Sequence, residues 1–153
     1  MRLWACRLSS LSLLFGVSDV LLRKVQSVQN AAARLVTGAK RRDHITPVLQ
    51  QLHWLPARRR IDFKIACLVH RSLSGRTPAY LAADIQLAVE CGRQNLRSAS
   101  DRTCFLPRTH NTFGDRSFSV AGPRVWNSLP ADLRLELQFG AFKRQLKTVL
   151  FSR

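Results

Sequence analysis

Acidic residues are scarce in this chain of 153 residues, where nine Asp and Glu stand against 25 Lys and Arg for a net charge of +16. Such an excess of one sign destabilises a compact state by self-repulsion. A polyanionic partner relieves the repulsion, and nucleic acid is the usual one. Most of the basic residues are arginines, whose planar guanidinium binds phosphate in a bidentate manner. The composition therefore indicates an RNA or DNA backbone as partner, but it does not point to any particular chemical reaction.

Long apolar runs are also missing from the chain. No run reaches the roughly 18 residues that a bilayer span requires, so the sequence predicts no membrane segment. Apolar residues nevertheless make up 46% of the chain, which is enough for a hydrophobic core and is not typical of a disordered tail. The length corresponds to a single domain.

The four cysteines do not form a recognisable pattern. There is no CxxC pair and no histidine at zinc-finger distance from a cysteine, so the sequence predicts no metal site. A disulfide framework is disfavoured at this low density. We expect four free thiols, with Cys67 in a helical core, and a nuclear or cytoplasmic location rather than secretion. The cysteines are Cys6, Cys67, Cys91 and Cys104.

Residues 1–17 are interpreted as an N-terminal extension that precedes the helical region. A basic start followed by an apolar stretch is typical of signal and transit peptides. Serines interrupt the apolar stretch, however, and no small-x-small cleavage site follows it. A targeting segment stays open as one interpretation, and a buried or truncated helix is favoured over it.

Known catalytic motifs are absent from the sequence. It holds no paired aspartates, HExxH, GxxxxGK[ST], GxGxxG or GxSxG. Asp101 and Asp115 each precede an arginine, which predicts structural ion pairs with Arg102 and Arg116. The four histidines are scattered and are expected to cap or pack: His44, His53, His70 and His110. The chain is therefore predicted not to be an enzyme and to use no cofactor, metal or small-molecule substrate.

Apolar residues at three- and four-residue steps predict helices in two regions, residues 18–85 and 117–153. The first helix begins at Ser18 and ends at Gly38, and Asp43 is expected to cap a second, short one. The next two are predicted at about residues 57–73 and 79–83, each preceded by a proline. The last helix is predicted at about residues 139–151.

Residues 86–116 form a basic segment that is predicted to be rich in loops. A short strand is expected near residues 103–106, and a second is an option at residues 116–120. Residues 122–130 are interpreted as turns around a short apolar helix, with Trp126 in the core rather than stacked on a base. The expected fold is mainly α, a single domain of about five helices with at most a small two-stranded β element.

Three basic clusters are the candidate phosphate contacts. Residues 40–42 follow the C-terminus of a helix, where they serve either the helix dipole or a phosphate. Residues 58–60 crowd the first turn of a helix, which opposes the dipole and favours a function that offsets the cost. The alternative pairs one of these arginines with Asp62. The complete set is Lys40, Arg41, Arg42, Arg58, Arg59, Arg60, Lys143, Arg144 and Lys147.

Several stretches carry a resemblance, in order, from about Leu14 to the end of the chain. They are KVQSVQNAAARLV at 24–36, DHITPVL at 43–49, LHWLP at 52–56, RIDFK at 60–64, TPAYL at 77–81, GDRSFSVAGP at 114–123, VWNSLP at 125–130 and FKRQLKTVLF at 142–151. Together they resemble the C-terminal, post-thumb segment of reverse transcriptases from LINE-type non-LTR retrotransposons of the Jockey-like group.

The resemblance implies a segment that holds template RNA or target DNA. It places the polymerase aspartates upstream of this segment, so none of the family's catalytic residues transfers to a position in this chain. One hypothesis is therefore a retrotransposon-derived fragment that binds nucleic-acid backbones, with a reverse-transcriptase polypeptide as a further partner. The alternative is a structural remnant without its own activity, in which Leu21, Val28, Leu68 and Phe142 would be partly exposed for want of the polymerase domain.

Overall fold

The computed structural model describes residues 15–90, 102–109 and 114–152. Helices dominate these ranges, which contain no β-strand, and the predicted mainly α fold is confirmed. A 3-10 turn at Gly114–Arg116 precedes the fifth helix. The helices are α1 (Asp19–Thr37), α2 (Ile45–Gln51), α3 (Ala57–Leu73), α4 (Ala79–Ala83), α5 (Phe118–Asn127), α6 (Ala131–Leu135) and α7 (Phe139–Ser152).

Helices α1, α3, α4 and α7 lie where the sequence predicts them. Helix α1 ends because Gly38 adopts the left-handed conformation, with φ of 71°. Glycine reaches that region without the steric cost that a Cβ atom would add. Helix α3 begins directly after Pro56, whose carbonyl accepts the Arg60 N–H at 2.9 Å.

The predicted cap of α2 is wrong. His44, not Asp43, occupies the N-cap position, and its side chain makes no capping hydrogen bond. The Asp43 carboxylate instead turns back to accept the backbone N–H of Lys40 at 2.7 Å. A short acidic side chain can accept a hydrogen bond from the backbone of a turn or from the start of a helix, and here Asp43 accepts one from the turn.

The optional strand at residues 116–120 is also wrong, because α5 begins at Phe118. Ser117 has an extended backbone, and its carbonyl accepts the N–H of Ala121 at 2.9 Å, which closes the first helical turn. The buried side chains of α5, among them Val120, Ala121, Val125 and Trp126, recur at helical spacing.

The strand expected near residues 103–106 is reduced to a single antiparallel bridge between Leu87 and Cys104. Two hydrogen bonds form it: Ala88 N–H to the Thr103 carbonyl at 2.9 Å and Phe105 N–H to the Gln86 carbonyl at 2.8 Å. So brief a pairing needs support from other elements.

Two compact units make up the chain, and their boundaries fall within α3 and α7. The first unit comprises the described residues up to Ile61 together with Lys147–Ser152, and the second runs from Asp62 to Leu146. In the first unit α1 and α2 pack together, and its buried residues include Ala33, Leu49 and Leu55.

The core of the second unit surrounds Trp126, which is fully buried, as the sequence predicts. Its ring lies 5.7 Å from that of Phe142, centroid to centroid, and the buried His70 ring lies 4.4 Å from Phe142. Phe142 is fully buried and is therefore not one of the partly exposed residues that the remnant hypothesis expects.

Several predictions fall outside the described residues. They concern the N-terminal residues 1–14 with Cys6, the ion pair of Asp101, and the positions Cys91 and His110. Within the described ranges, no helix combines the length and the apolar character that crossing a membrane demands.

Candidate nucleic-acid interface

The predicted phosphate contacts are divided between the two units. Lys143 and Arg144 belong to the second unit, and all the others belong to the first. Within the first unit the turn at residues 40–42 and the first turn of α3 supply most of the charge.

Hydrogen bonds hold the backbone of the turn between α1 and α2 in place. Lys40 and Asp43 are joined twice, since the Asp43 carboxylate accepts the Lys40 N–H at 2.7 Å and the Lys40 carbonyl accepts the Asp43 N–H at 3.1 Å. Arg34 of α1 donates to the carbonyls of Lys40, at 3.4 Å, and Asp43, at 3.2 Å. The backbone of the turn is therefore preorganised.

The side chains of residues 40–42 take no part in those anchoring contacts. Lys40, Arg41 and Arg42 are all exposed, and among the described residues none of the three side chains forms a hydrogen bond or ion pair. Three adjacent solvated cations on a fixed backbone can contact successive phosphates without first breaking an internal contact.

The start of α3 is positioned by two glutamines of α1. The Gln26 side-chain oxygen accepts the N–H of Ala57 at 2.7 Å, and the Gln29 amide donates to the Leu55 carbonyl at 2.9 Å. Gln26 is itself oriented by donating to Asn30 at 2.7 Å. An otherwise unsatisfied N–H at the helix start is thereby capped from a neighbouring helix.

The three arginines that follow have different environments. Arg58 is exposed and forms an ion pair of 3.3 Å with Asp19, so Asp19 rather than Asp62 is its partner. Arg59 and Arg60 are half-buried, and burial lowers the pKa of the Arg60 guanidinium. Asp19 lies in the first turn of α1, where a carboxylate is favoured by the dipole.

The two clusters occupy opposite ends of α1. Arg58 contacts Asp19 at the start of the helix, and Lys40 follows the glycine that ends it. At 1.5 Å per residue, a helix of 19 residues is about 28 Å long. A compact phosphate ligand cannot contact both clusters at once, whereas an extended polyanion can.

The remaining predicted contacts lie on α7. Lys143 is exposed, and its Nζ atom sits 4.7 Å from the centre of the Phe139 ring, within range of a cation–π contact. Arg144 is exposed and Lys147 is half-buried.

Arg34, Gln26 and Gln29 were not among the candidates taken from the sequence. They position the clusters rather than present charge to a ligand. The glutamine spacing of three residues places both side chains on one face of α1, which is the only signal for them in the sequence.

The acidic groups of the described residues do not form a catalytic or metal-binding cluster. Asp115 accepts from Arg124 at 3.2 Å, so the predicted pairing with Arg116 is replaced by one with a residue of α5. Among the described residues, no group of three or more His, Cys, Asp or Glu side chains is placed to hold a metal ion.

Comparisons with known proteins identify no relative of this chain. Neither a family model, nor a curated protein, nor a solved structure matches this chain.

Proposed function

We propose that the chain binds the phosphate backbone of RNA or DNA without reading base sequence, as a non-catalytic segment related to the C-terminal part of LINE-type reverse transcriptases. The observation that carries the proposal is the exposed basic turn Lys40–Arg41–Arg42 on its hydrogen-bonded backbone. The first turn of α3 adds a second set of contacts at the other end of α1.

The charge distribution of the first unit supports a polyanionic ligand. Asp19 and Asp43 are its only acidic residues within the described ranges, and both are engaged, with Arg58 and with the Lys40 backbone. The basic side chains are therefore far in excess of internal partners. Release of counterions from a nucleic acid would then provide a driving force for binding.

A salt titration of binding to a short RNA and to a matched DNA duplex tests the proposal. The informative variant is Lys40→Gln/Arg41→Gln/Arg42→Gln, because these side chains are exposed and their removal leaves the core intact. Loss of three phosphate contacts should reduce the slope of log affinity against log salt by about 2.7 for the duplex.

A matched control removes the same charge elsewhere. Arg76→Gln/Arg108→Gln/Arg116→Gln changes three exposed arginines outside the predicted contacts. It should leave the salt slope close to that of the parent chain. An equal loss in both variants would show that only net charge matters, and it would overturn the assignment of the turn as a contact site.

A second candidate function is a structural segment whose helices pack against a reverse-transcriptase polypeptide. The observation that favours it is the exposure of Leu21 and Val28 on α1. A folded, monomeric chain that shows no salt-dependent binding to either nucleic acid would select this second function over the first.

A further inference from the structure

An apolar stripe runs along the solvent side of α1. Leu21, Val25, Val28 and Leu35 recur at steps of three, four and seven residues, which places them on one face of the helix. Val28 is 71% exposed and Leu35 is 87% exposed. The fourteen helical steps from Leu21 to Leu35 extend the stripe over about 21 Å. A continuous exposed apolar surface of this kind marks an interaction site.

A groove lies beside the middle of this stripe. It has a volume of about 290 Å³, and it lies between α1 and the segment from Trp54 to the first turn of α3. Its walls are formed by Val25, Val28 and Ala32 on one side and by Trp54, Ala57 and Arg60 on the other. Two hydrogen bonds link the walls, since Gln26 accepts from the Ala57 N–H and Gln29 donates to the Leu55 carbonyl.

One basic side chain lies in the wall of the groove, and another lies at the edge of the neighbouring stripe. Lys24 is exposed and lies three residues after Leu21 and four before Val28, at the edge of the stripe. Arg60 is half-buried in the opposite wall, and no carboxylate among the described residues offsets its desolvation. Acidic groups from outside the chain would provide partners for these two cations.

We propose that this groove docks an amphipathic, acidic helix of another protein. Apolar side chains of that helix fill the space between Val28 and Trp54, and its carboxylates meet Lys24 and Arg60. A helix suits the site because the stripe repeats with the helical period, as in other helix-in-groove complexes. This inference goes beyond nucleic-acid binding and does not depend on it.

Charge argues against a second copy of this chain as the occupant. The described part of the first unit has only Asp19 and Asp43 as acids, and both are already engaged. Two such surfaces would bring cations together, with no carboxylate to separate them. The extent of the stripe argues against a nucleobase, because a base stacked on Trp54 would leave Leu35 uncovered.

The test uses the full chain and a designed, fluorescently labelled peptide of about 18 residues with leucines on one helical face and glutamates elsewhere. Anisotropy at low and moderate salt reports its binding. A peptide of the same composition in scrambled order controls for charge alone, and one with lysine in place of glutamate controls for the apolar face alone. Only the ordered acidic peptide should bind.

Two variants locate the contact. Val28→Gln/Leu35→Gln should weaken the ordered acidic peptide at least about tenfold. Leu137→Gln, at a similarly exposed leucine of the second unit, should leave the peptide affinity unchanged. Lys24→Glu should weaken the acidic peptide and strengthen the lysine peptide, whereas Arg76→Glu should change neither.

Four results would overturn the proposal. Equal binding of the scrambled peptide would reduce the effect to net charge, and equal binding of the lysine peptide would remove the role of Lys24 and Arg60. Concentration-dependent dimers that Val28→Gln/Leu35→Gln abolishes would assign the groove to a second copy. Binding of a single-stranded oligonucleotide that the same variant abolishes would make the groove a base pocket.

Discussion

Asn127 satisfies both backbone polar groups of Cys104 with one side chain. Its oxygen accepts the Cys104 N–H at 2.9 Å, and its amide donates to the Cys104 carbonyl at 2.9 Å. The neighbouring Trp126 donates its indole N–H to the Arg102 carbonyl at 2.8 Å. The end of α5 thus takes over the role that a second strand would have in a sheet, since residue 104 has only one β-bridge.

Replacing Asn127 with Asp should destabilise the second unit. The carboxylate keeps the acceptor for the Cys104 N–H but loses the donor, and it sets a negative charge against the buried Cys104 carbonyl. We expect a loss of about 1–3 kcal/mol in the free energy of unfolding. Denaturant titration measures it.

Asn30→Asp is the matched control for that change. Asn30 serves as an acceptor for Gln26, so an aspartate keeps the contact and adds a negative charge to a very basic chain. Its stability should equal or exceed that of the parent. Equal losses in the two variants would mean that charge, and not the lost donor, causes the effect.

A methyl group at Gly122 should also destabilise the second unit. A Cβ atom there would lie 2.9 Å from the Ile85 side chain and 3.0 Å from that of Val69, and both neighbours are buried. Overpacking of this kind costs about 1–3 kcal/mol, from which the better helix propensity of alanine removes up to about 1 kcal/mol. Gly122→Ala should therefore lower the melting temperature.

Gly140→Ala should instead raise the melting temperature in the same experiment. No atom lies within 4 Å of a Cβ atom at Gly140 in α7, so alanine gains propensity without a clash, by up to about 1 kcal/mol. A raised melting temperature for both alanine variants would show that the Gly122 site has room to relax, contrary to the packing described.

The close packing at Gly122 also explains why the start of α5 could not be predicted from the sequence, which indicated only a short helix within residues 122–130. Gly122 and Pro123 are poor helix formers, and they sit inside α5. Periodicity sufficed for α1 and α3, whose apolar steps run without interruption. In α5 the approach to Val69 and Ile85 requires a glycine, so tertiary packing overrides local propensity.

The candidate interface was predictable only in part. The basic clusters are visible in the sequence as runs of Lys and Arg, and the exposure of residues 40–42 agrees with a solvent-facing role. The contact of Arg58 with Asp19 spans 39 residues of sequence, and the cap of α3 by Gln26 spans 31. Neither has a local signature, because both depend on how α1 packs beside the start of α3.

Stability should fall as the pH drops below the ordinary pKa of histidine. Burial lowers the pKa of His70, and Arg102 and Arg76 add to the effect against opposing contributions from Glu136. The Nε2–H group of the ring donates to the Glu136 carbonyl at 2.9 Å, because a carbonyl oxygen can only accept. Among the described residues its buried Nδ1 has no hydrogen-bond partner, so a proton there would be unsatisfied.

The sign follows from proton uptake in the two states. Below about pH 6.5 the unfolded chain binds a proton at His70 that the folded chain does not, so unfolding is favoured by at most about 1.4 kcal/mol per pH unit. Denaturant titrations between about pH 7.5 and pH 5.5 measure this slope. His70→Gln should flatten it, whereas His53→Gln, at an exposed position, should not. An unchanged slope in His70→Gln would assign the pH dependence to other groups.

The buried thiols should resist modification in the native state. Burial raises the pKa of Cys67 to about 12 and that of Cys104 to about 12, against opposing effects of nearby cations. Since the thiolate is the reactive form, their reaction at neutral pH should be about a thousandfold slower than that of an ordinary thiol, before any steric protection.

In Cys6→Ser/Cys91→Ser, a disulfide reagent should detect no thiol in the folded chain and both after unfolding. Ser27→Cys in that background places a thiol on the exposed side of α1 and should react at the ordinary rate. If Cys104 reacted as fast as this control, the hydrogen bonds between Asn127 and the Cys104 backbone would have to open readily. Asn127→Asp should then leave the reaction rate of Cys104 unchanged rather than increase it.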